Sequence, residues 1–374
     1  MPNTSSEQAI RFLPQAVIDW QRIHGRHELP WQQNFDPYRI WLSEIMLQQT
    51  QVETVIPYYE AFLQAFPNVQ SLAQASQDEV LRLWAGLGYY ARARNLHACA
   101  QTIVSDWHGQ FPDNAQDLET LPGIGRSTAG AIAAFSFGQR TPILDGNVRR
   151  VFCRYFGIDT NPMASATQKQ LWALAQETLP KTSPEPQQTA DMRSYIQGLM
   201  DLGATVCRRN QAKCTQCPLQ NHCIALKTER VNELPIRQVR KARTEQTLHL
   251  FVFKRGAEIY LIKRAQARIW GGLWSLPQTA SPEIWHTAFK ALNLNVLKMA
   301  ARTHDLTHIK LTLKPWLIEI TDDATMRELH ATLMADIDNL DEQSNWVDPA
   351  TWEDYGVPKP VRDILLGFMD EPLS

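Results

Sequence analysis

The sequence predicts two domains of different class, an all-α domain followed by a smaller α+β domain. From about residue 7 to 226, apolar residues recur at spacings of three and four, interrupted by stops such as FPNVQ, GQFPDN and SFGQRTP. Between 227 and 246 the chain reads KTERVNELPIRQVRKARTEQ; apolar density drops and Arg and Lys dominate, as in a solvated connector. Beyond it, LHLFVFKRG, EIYLIKRA and LTLKPWLIEI are short, β-rich runs, and PKPVRDILLGFM closes the chain as a helix. At 374 residues the chain is long enough for two cores that need no covalent staples.

Charge and cysteine usage narrow the function classes. The net charge is −2, so a nucleic-acid partner must be held by a local basic surface and not by bulk charge. The opening MPNTSSEQAI lacks a basic-then-apolar pattern, and the weakly polar run AGAIAAFSFG is too short to span a bilayer, so a cytoplasmic protein without a membrane partner is expected. Four of the six cysteines fall between Cys207 and Cys223, which is the clustering of a metal site; Cys99 and Cys153 stand alone in helical patterns and read as core.

Taken in chain order, DPYRIWLSEIMLQQT starts a helix with Asp36 as N-cap and Pro37 at its first position, running to about Gln48. Thr50 and Glu53 form a capping box for the next helix. On the first of these helices Glu44 shares a face with Ile40, Trp41 and Leu47, and with Gln48 one turn on. Desolvation there raises a carboxyl pKa and leaves an acid able to donate a proton near neutral pH; a Glu that snorkels to the rim or pairs with an Arg satisfies the same pattern.

LPGIGRSTAG, residues 121–130, sets two glycines between helices. Gly123 and Gly125 permit backbone angles that a side chain forbids, and the helix they open aims unpaired N–H groups outward, a geometry that grips one phosphate. A plain turn between packed helices reads the same, and the spacing and missing Lys exclude a Walker P-loop. In PILDGNVRRVFCRYFG, Asp145 is an N-cap, a role compatible with catalysis because a helix N-terminus keeps a carboxylate ionised. Cleavage of a glycosidic bond uses two carboxyl groups, one to protonate the leaving group and one to stabilise an oxocarbenium-like centre.

Cys207, Cys214, Cys217 and Cys223 read C-x6-C-x2-C-x5-C, one compact loop supplying four thiolates. That spacing suits a [4Fe–4S] cluster better than zinc, which usually takes two close pairs separated by a longer spacer. Arg208, Arg209 and Lys213 within the loop are either solvated or a phosphate contact.

In this order the hairpin, Asp145 and the cysteine loop resemble the endonuclease III superfamily of DNA glycosylases. LPWQ, WLSEIMLQQTQVETVIPYY, GLGYYARARNL, LPGIGRSTAG, PILDGNVRRV and DLGATVC look like the MutY-type adenine DNA glycosylases within it, and the α+β half resembles their Nudix-like C-terminal domain. The resemblance implies a helical glycosylase domain over 1–226, with a helix-hairpin-helix at about 117–137 and an iron–sulfur loop at 207–223. It further implies a linker over 227–246 and a Nudix-like domain over 247–374 that reads 8-oxoguanine. The implied partner is double-stranded DNA with adenine opposite 8-oxoguanine or guanine, engaged by a monomer that is nucleoid-associated in a bacterium.

By the same resemblance Glu44 protonates the adenine ring at N7, Asp145 stabilises the deoxyribose oxocarbenium ion and Asn147 helps to orient the site. Gln48 and Tyr89 wedge into the duplex after adenine is flipped out. Ser127 stands where bifunctional relatives carry the Lys that forms a Schiff base, which implies a monofunctional enzyme. The family's Phe-Ser-His turn is here Leu306-Thr307-His308, and Thr307 and His308 are the implied readers of the oxidised base; a strand-edge histidine is the plainer reading of His308. GGLWSLPQTASPEIW holds Glu283 alone where a Nudix metal site needs several acids, so phosphohydrolase chemistry is not expected. The competing readings are an endonuclease III-like glycosylase and lyase, opposed by Ser127, and a non-catalytic iron–sulfur protein that marks lesions, opposed by the two carboxyl groups.

Overall fold

The computed structural model describes residues 4–236, 242–265, 269–336, 340–348 and 351–369. Residues 237–241 of the expected linker, and 370–374 of the expected C-terminal domain, lie outside them. The helices of the first half are α1 (Thr4–His24), α2 (Pro37–Met46), α3 (Val52–Ala65), α4 (Val69–Gln74), α5 (Gln77–Trp84) and α6 (Ala91–Asp106). They continue with α7 (Ala115–Leu118), α8 (Arg126–Phe137), α9 (Gly146–Tyr155), α10 (Ser165–Glu177), α11 (Gln187–Asp201) and α12 (Ile224–Lys227). A π-helical turn, Leu202–Val206, extends α11. Among the described residues no helix is long and apolar enough to cross a membrane.

Contacts divide the chain into two units, residues 1–73 with 98–239, and residues 74–97 with 240–374. The stretch 74–97, which the sequence pattern assigns to the helical half, thus groups with the C-terminal residues. In the first unit α2 packs on α8, α1 and α8 pack on α11, and α9 packs on the π-turn. Trp41, Leu42, Phe62, Ile132, Phe152 and Ile196 are fully buried there, with Cys99 and Cys153 in the same core.

Local chemistry fixes several helix starts. Asp36 accepts from the Arg39 N–H at 3.0 Å, and Pro37 at the first position lacks the N–H that would otherwise be orphaned. The expected capping box at Thr50 and Glu53 does not form. Gln49 takes a left-handed φ of 59°, the Thr50 hydroxyl turns back to the Gln48 carbonyl, and α3 begins at Val52 with Gln51 as its cap. The helix through Glu44 accordingly ends at Met46, before Gln48.

In the second unit, β1 (Thr244–Arg255), β2 (Glu258–Arg264), β3 (Trp274–Ser275), β4 (Gln278–Thr279), β5 (Val296–Lys298), β6 (Arg302–Asp305), β7 (Ile309–Glu319) and β8 (Leu340–Val347) form one mixed sheet. Its path is β3-β2-β1-β7-β5, with β1 and β7 parallel from Thr244↔Ile309 to Lys254↔Glu319 and the other pairs antiparallel. Three helices belong to it: α13 (Glu283–Ala291), α14 (Asp323–Asp336) and α15 (Lys359–Met369). Phe251, Phe253 and Tyr260 from the sheet pack with Trp285 and Phe289 of α13 and Met326 and Leu329 of α14. β1 starts inside the expected linker, and the linker's Leu234 is buried, so that stretch is solvated only in part.

Candidate active site

A cavity of about 1570 Å³ opens in the helical unit, and Glu44, Gln48, Ser127, Asp145, Asn147, Arg208 and Arg209 all line it. The sequence places these residues up to 165 positions apart; α2 and the turn after it, α8, α9 and the cysteine loop bring them around one cavity. Glu44 projects from the last turn of α2, half-buried beside fully buried Trp41. Its carboxyl is pushed up to about 8, first by burial and then by the charge of Asp145. Both influences favour the protonated form.

Asp145 caps α9, its Oδ1 accepting from the Val148 N–H at 2.8 Å. Burial raises its pKa, and the N–H groups of Val148 and Asn147, with Arg150 and Arg149, pull the other way. Burial wins at both acids and shifts both upward; what differs is the opposition to it, present at Asp145 and absent at Glu44. Hydrogen bonds to Asp145 stabilise its anion, whereas the surroundings of Glu44 stabilise its acid.

Arg150, which sequence reasoning missed, ties α9 to the cysteine loop. Its guanidinium donates to Asn147 Oδ1 at 2.8 Å, to the Gly203 carbonyl at 2.7 Å and to the Cys207 carbonyl at 2.8 Å. Gly203 sits in the π-turn, and a β-carbon there would lie 2.5 Å from Asn147 Cβ, so the glycine is what lets the π-turn close onto α9. The available signals were the RR pair after Asp145 and the glycine in DLGATVC; neither says which partner it meets.

In the hairpin, Gly123 takes φ 77° and Gly125 caps α8 at φ −90°. Neither lines the cavity. Ser127 Oγ accepts from the Leu144 N–H at 3.0 Å, which fixes the strand of chain that enters Asp145. Gly130 completes that seat, since a β-carbon there would meet the Pro142 carbonyl at 2.5 Å. Gln48 Nε2 reaches Thr128 Oγ1 at 3.4 Å.

Cys207, Cys214, Cys217 and Cys223 are half-buried free thiols lining a separate space of about 30 Å³, with Ala212, Leu226 and Val231. Buried Arg154 supports the loop, donating to Cys207 Sγ at 3.3 Å and to the carbonyls of Arg208 (2.8 Å), Arg209 (3.3 Å) and Leu234 (2.9 Å). Among the described residues no group of three or more His, Cys, Asp or Glu side chains is arranged to hold a single metal ion. The four thiols instead share a space, which is what a cubane with four corners requires of its donors.

The remaining expected site residues lie in the second unit. Leu306, Thr307 and His308 form the turn between β6 and β7, with Thr307 and His308 exposed. Tyr89 is 47% exposed, and its hydroxyl lies 3.3 Å from Thr307 Oγ1.

Residues 42–177 match the family described as HhH-GPD superfamily base excision DNA repair protein, and residues 249–367 match that described as NUDIX domain. The adenine DNA glycosylase of Buchnera aphidicola subsp. Acyrthosiphon pisum (strain APS) is 35% identical over 358 residues, covering 95% of this chain and 97% of that protein. The adenine DNA glycosylase of Homo sapiens is 33% identical over 363 residues, covering 79% of this chain and 65% of that one. Among solved structures, a thermostable thymine-DNA glycosylase is similar at a TM-score of 0.53 and 25% identity, covering 60% of this chain and 99% of its own. An endonuclease III in a non-covalent DNA complex shares the fold at a TM-score of 0.50 and 18% identity, covering 60% and 97%.

Proposed function

The chain belongs to the adenine DNA glycosylases, and on that premise we propose that Glu44 and Asp145 cleave the N-glycosidic bond of adenine in double-stranded DNA, as base excision repair requires. The observation that carries this reading is a carboxyl raised to about 8, partly by the charge of an N-capping carboxylate that lines the same cavity. Adenine flipped into the cavity receives the Glu44 proton at N7; the C1′–N9 electron pair leaves with the base. Asp145, whose anion accepts from the Val148 N–H, stabilises the positive charge left on the sugar until water adds at C1′ and gives up a proton. Asn147, fixed by Arg150, orients the site.

Ser127 makes the enzyme monofunctional, because a hydroxyl engaged by the Leu144 N–H offers no amine for a Schiff base. Gly123 and Gly125 grip a backbone phosphate, Arg208 and Arg209 contribute positive charge at the cavity edge, and Gln48 and Tyr89 enter the duplex. Thr307 and His308 read 8-oxoguanine opposite the adenine, and the protein works as a monomer. Cys207, Cys214, Cys217 and Cys223 hold a [4Fe–4S] cluster, which braces the loop carrying Arg208 and Arg209; the shared space of the four thiols supports this over a single zinc ion.

Two measurements test the reading. Single-turnover excision from a duplex with one adenine opposite 8-oxoguanine is expected from the wild type and lost in Glu44→Gln with DNA binding kept; near-wild-type excision by the variant removes Glu44 from its role. Anaerobically purified protein is expected to be brown with about four irons per chain. Stoichiometric zinc in a colourless protein reverses the cluster assignment.

A further inference from the structure

Residues 86–89 take three left-handed backbone angles within four positions, φ 107° at Gly86, 72° at Gly88 and 50° at Tyr89. Glycine adopts these freely, but a tyrosine does so only where its surroundings impose it. Arg92, 9% exposed, is one source of that constraint. Its guanidinium donates to the carbonyls of Leu87 at 3.3 Å and Gly88 at 3.2 Å, and lies 5.2 Å from the Trp84 ring and 5.6 Å from the Tyr89 ring. Trp84 Nε1 donates to the same Gly88 carbonyl at 3.1 Å, and the Arg92 N–H closes on the Tyr89 carbonyl at 2.8 Å. Backbone and ring of Tyr89 are both held, and its hydroxyl meets Thr307 Oγ1 from 218 residues away.

The segment carrying Tyr89 belongs to the same unit as that turn. Asp78 accepts from Lys263 Nζ at 3.1 Å and from Trp274 Nε1 at 3.4 Å, and Arg94 donates to the Gly271 carbonyl at 2.7 Å. The Tyr89–Thr307 contact is thus backed by anchors on both sides of the loop.

We propose that Arg92 is a positioning residue for the choice of opposite base, holding Tyr89 so that its hydroxyl accepts the Thr307 proton and leaves Thr307 presenting lone pairs alone. This rests on the reading that the 306–308 turn contacts the base opposite adenine. 8-Oxoguanine carries a proton on N7, whereas guanine presents a lone pair there. An oxygen already engaged as a donor welcomes the first and repels the second. With Tyr89 absent as acceptor, the Thr307 hydroxyl can rotate and donate to guanine N7, and the two bases become more alike to it.

The test compares Tyr89→Phe, Arg92→Lys, Thr307→Ala and the Tyr89→Phe/Thr307→Ala double variant in the full-length protein. It measures single-turnover excision and binding on duplexes with adenine opposite 8-oxoguanine and opposite guanine. Tyr89→Phe keeps the ring, and is expected to lower the 8-oxoguanine to guanine preference about three- to tenfold, the worth of one hydrogen bond. Arg92→Lys keeps the charge without the planar fork and should follow it. The double variant should be no worse than Thr307→Ala, because both changes break one contact. If Thr307→Ala lowers the preference while Tyr89→Phe leaves it intact, or if the two effects add, the coupling is wrong and the reading of the turn survives. If Thr307→Ala leaves the preference intact, the reading of the turn falls and the coupling with it.

Discussion

Glu44 keeps its proton at a pH where an exposed glutamate has lost it, and two measurable consequences follow from that one group. With Glu44 as the proposed proton donor, the excision rate should hold below about pH 8 and fall as pH rises through that value. Glu44→Gln, with no proton to give, should lose roughly two to four orders of magnitude at all pH values in single-turnover assays. The stability consequence has the opposite sign. The folded chain retains a proton that the unfolded chain releases above about 4.5, so the wild type is progressively destabilised between about 4.5 and 8. Glu44→Gln should therefore be the more stable protein, by a margin that grows across that window and is flat outside it; urea unfolding at a series of pH values measures it. Ser127 makes a second case. Ser127→Lys supplies an amine and withdraws the acceptor of the Leu144 N–H, so borohydride trapping should rise above the wild-type level while stability drops by about 1–3 kcal/mol.

At the scale of elements, the contact between the π-turn and α9 is held open for one atom. Gly203→Ala places a β-carbon 2.5 Å from Asn147 Cβ, so the turn and the helix must separate. Arg150 then loses its simultaneous reach to Asn147, Gly203 and Cys207; excision should fall at least tenfold, with stability lowered by about 1–3 kcal/mol, checked by single-turnover rates and thermal unfolding. None of this was legible in the sequence, because Gly203 and Cys207 lie 53 and 57 residues from Arg150. What was legible is local. Asp36 and Asp145 announce their helices by caps that bond three residues ahead, and the apolar wheel around Glu44 gives its face. The Thr50 and Glu53 box failed for an equally local reason, the left-handed turn at Gln49, which no residue type demands. The β-rich runs announced β1, β2 and β7, but not that β1 pairs in parallel with β7 across the intervening strands.

On the scale of the whole molecule, the division of the chain does not follow its order. Residues 74–97 group with 240–374, whereas Leu234 of the connector accepts from buried Arg154, so a truncation that keeps this last bond ends after 236. Such a fragment should retain some excision but lose preference for 8-oxoguanine opposite adenine. Amide exchange in 74–97 should accelerate in it while the middle of α2 stays protected; equal protection in fragment and full chain would show that the segment needs no C-terminal partner. Asp78 and Lys263, which join in an ion pair, are 185 residues apart, and that separation is also an interval of time. At roughly 5–20 residues per second, a ribosome makes the second about 10–40 s after the first. Until then the nascent helical half carries a segment whose partners do not yet exist, so during synthesis residues 74–97 wait for sequence that arrives last.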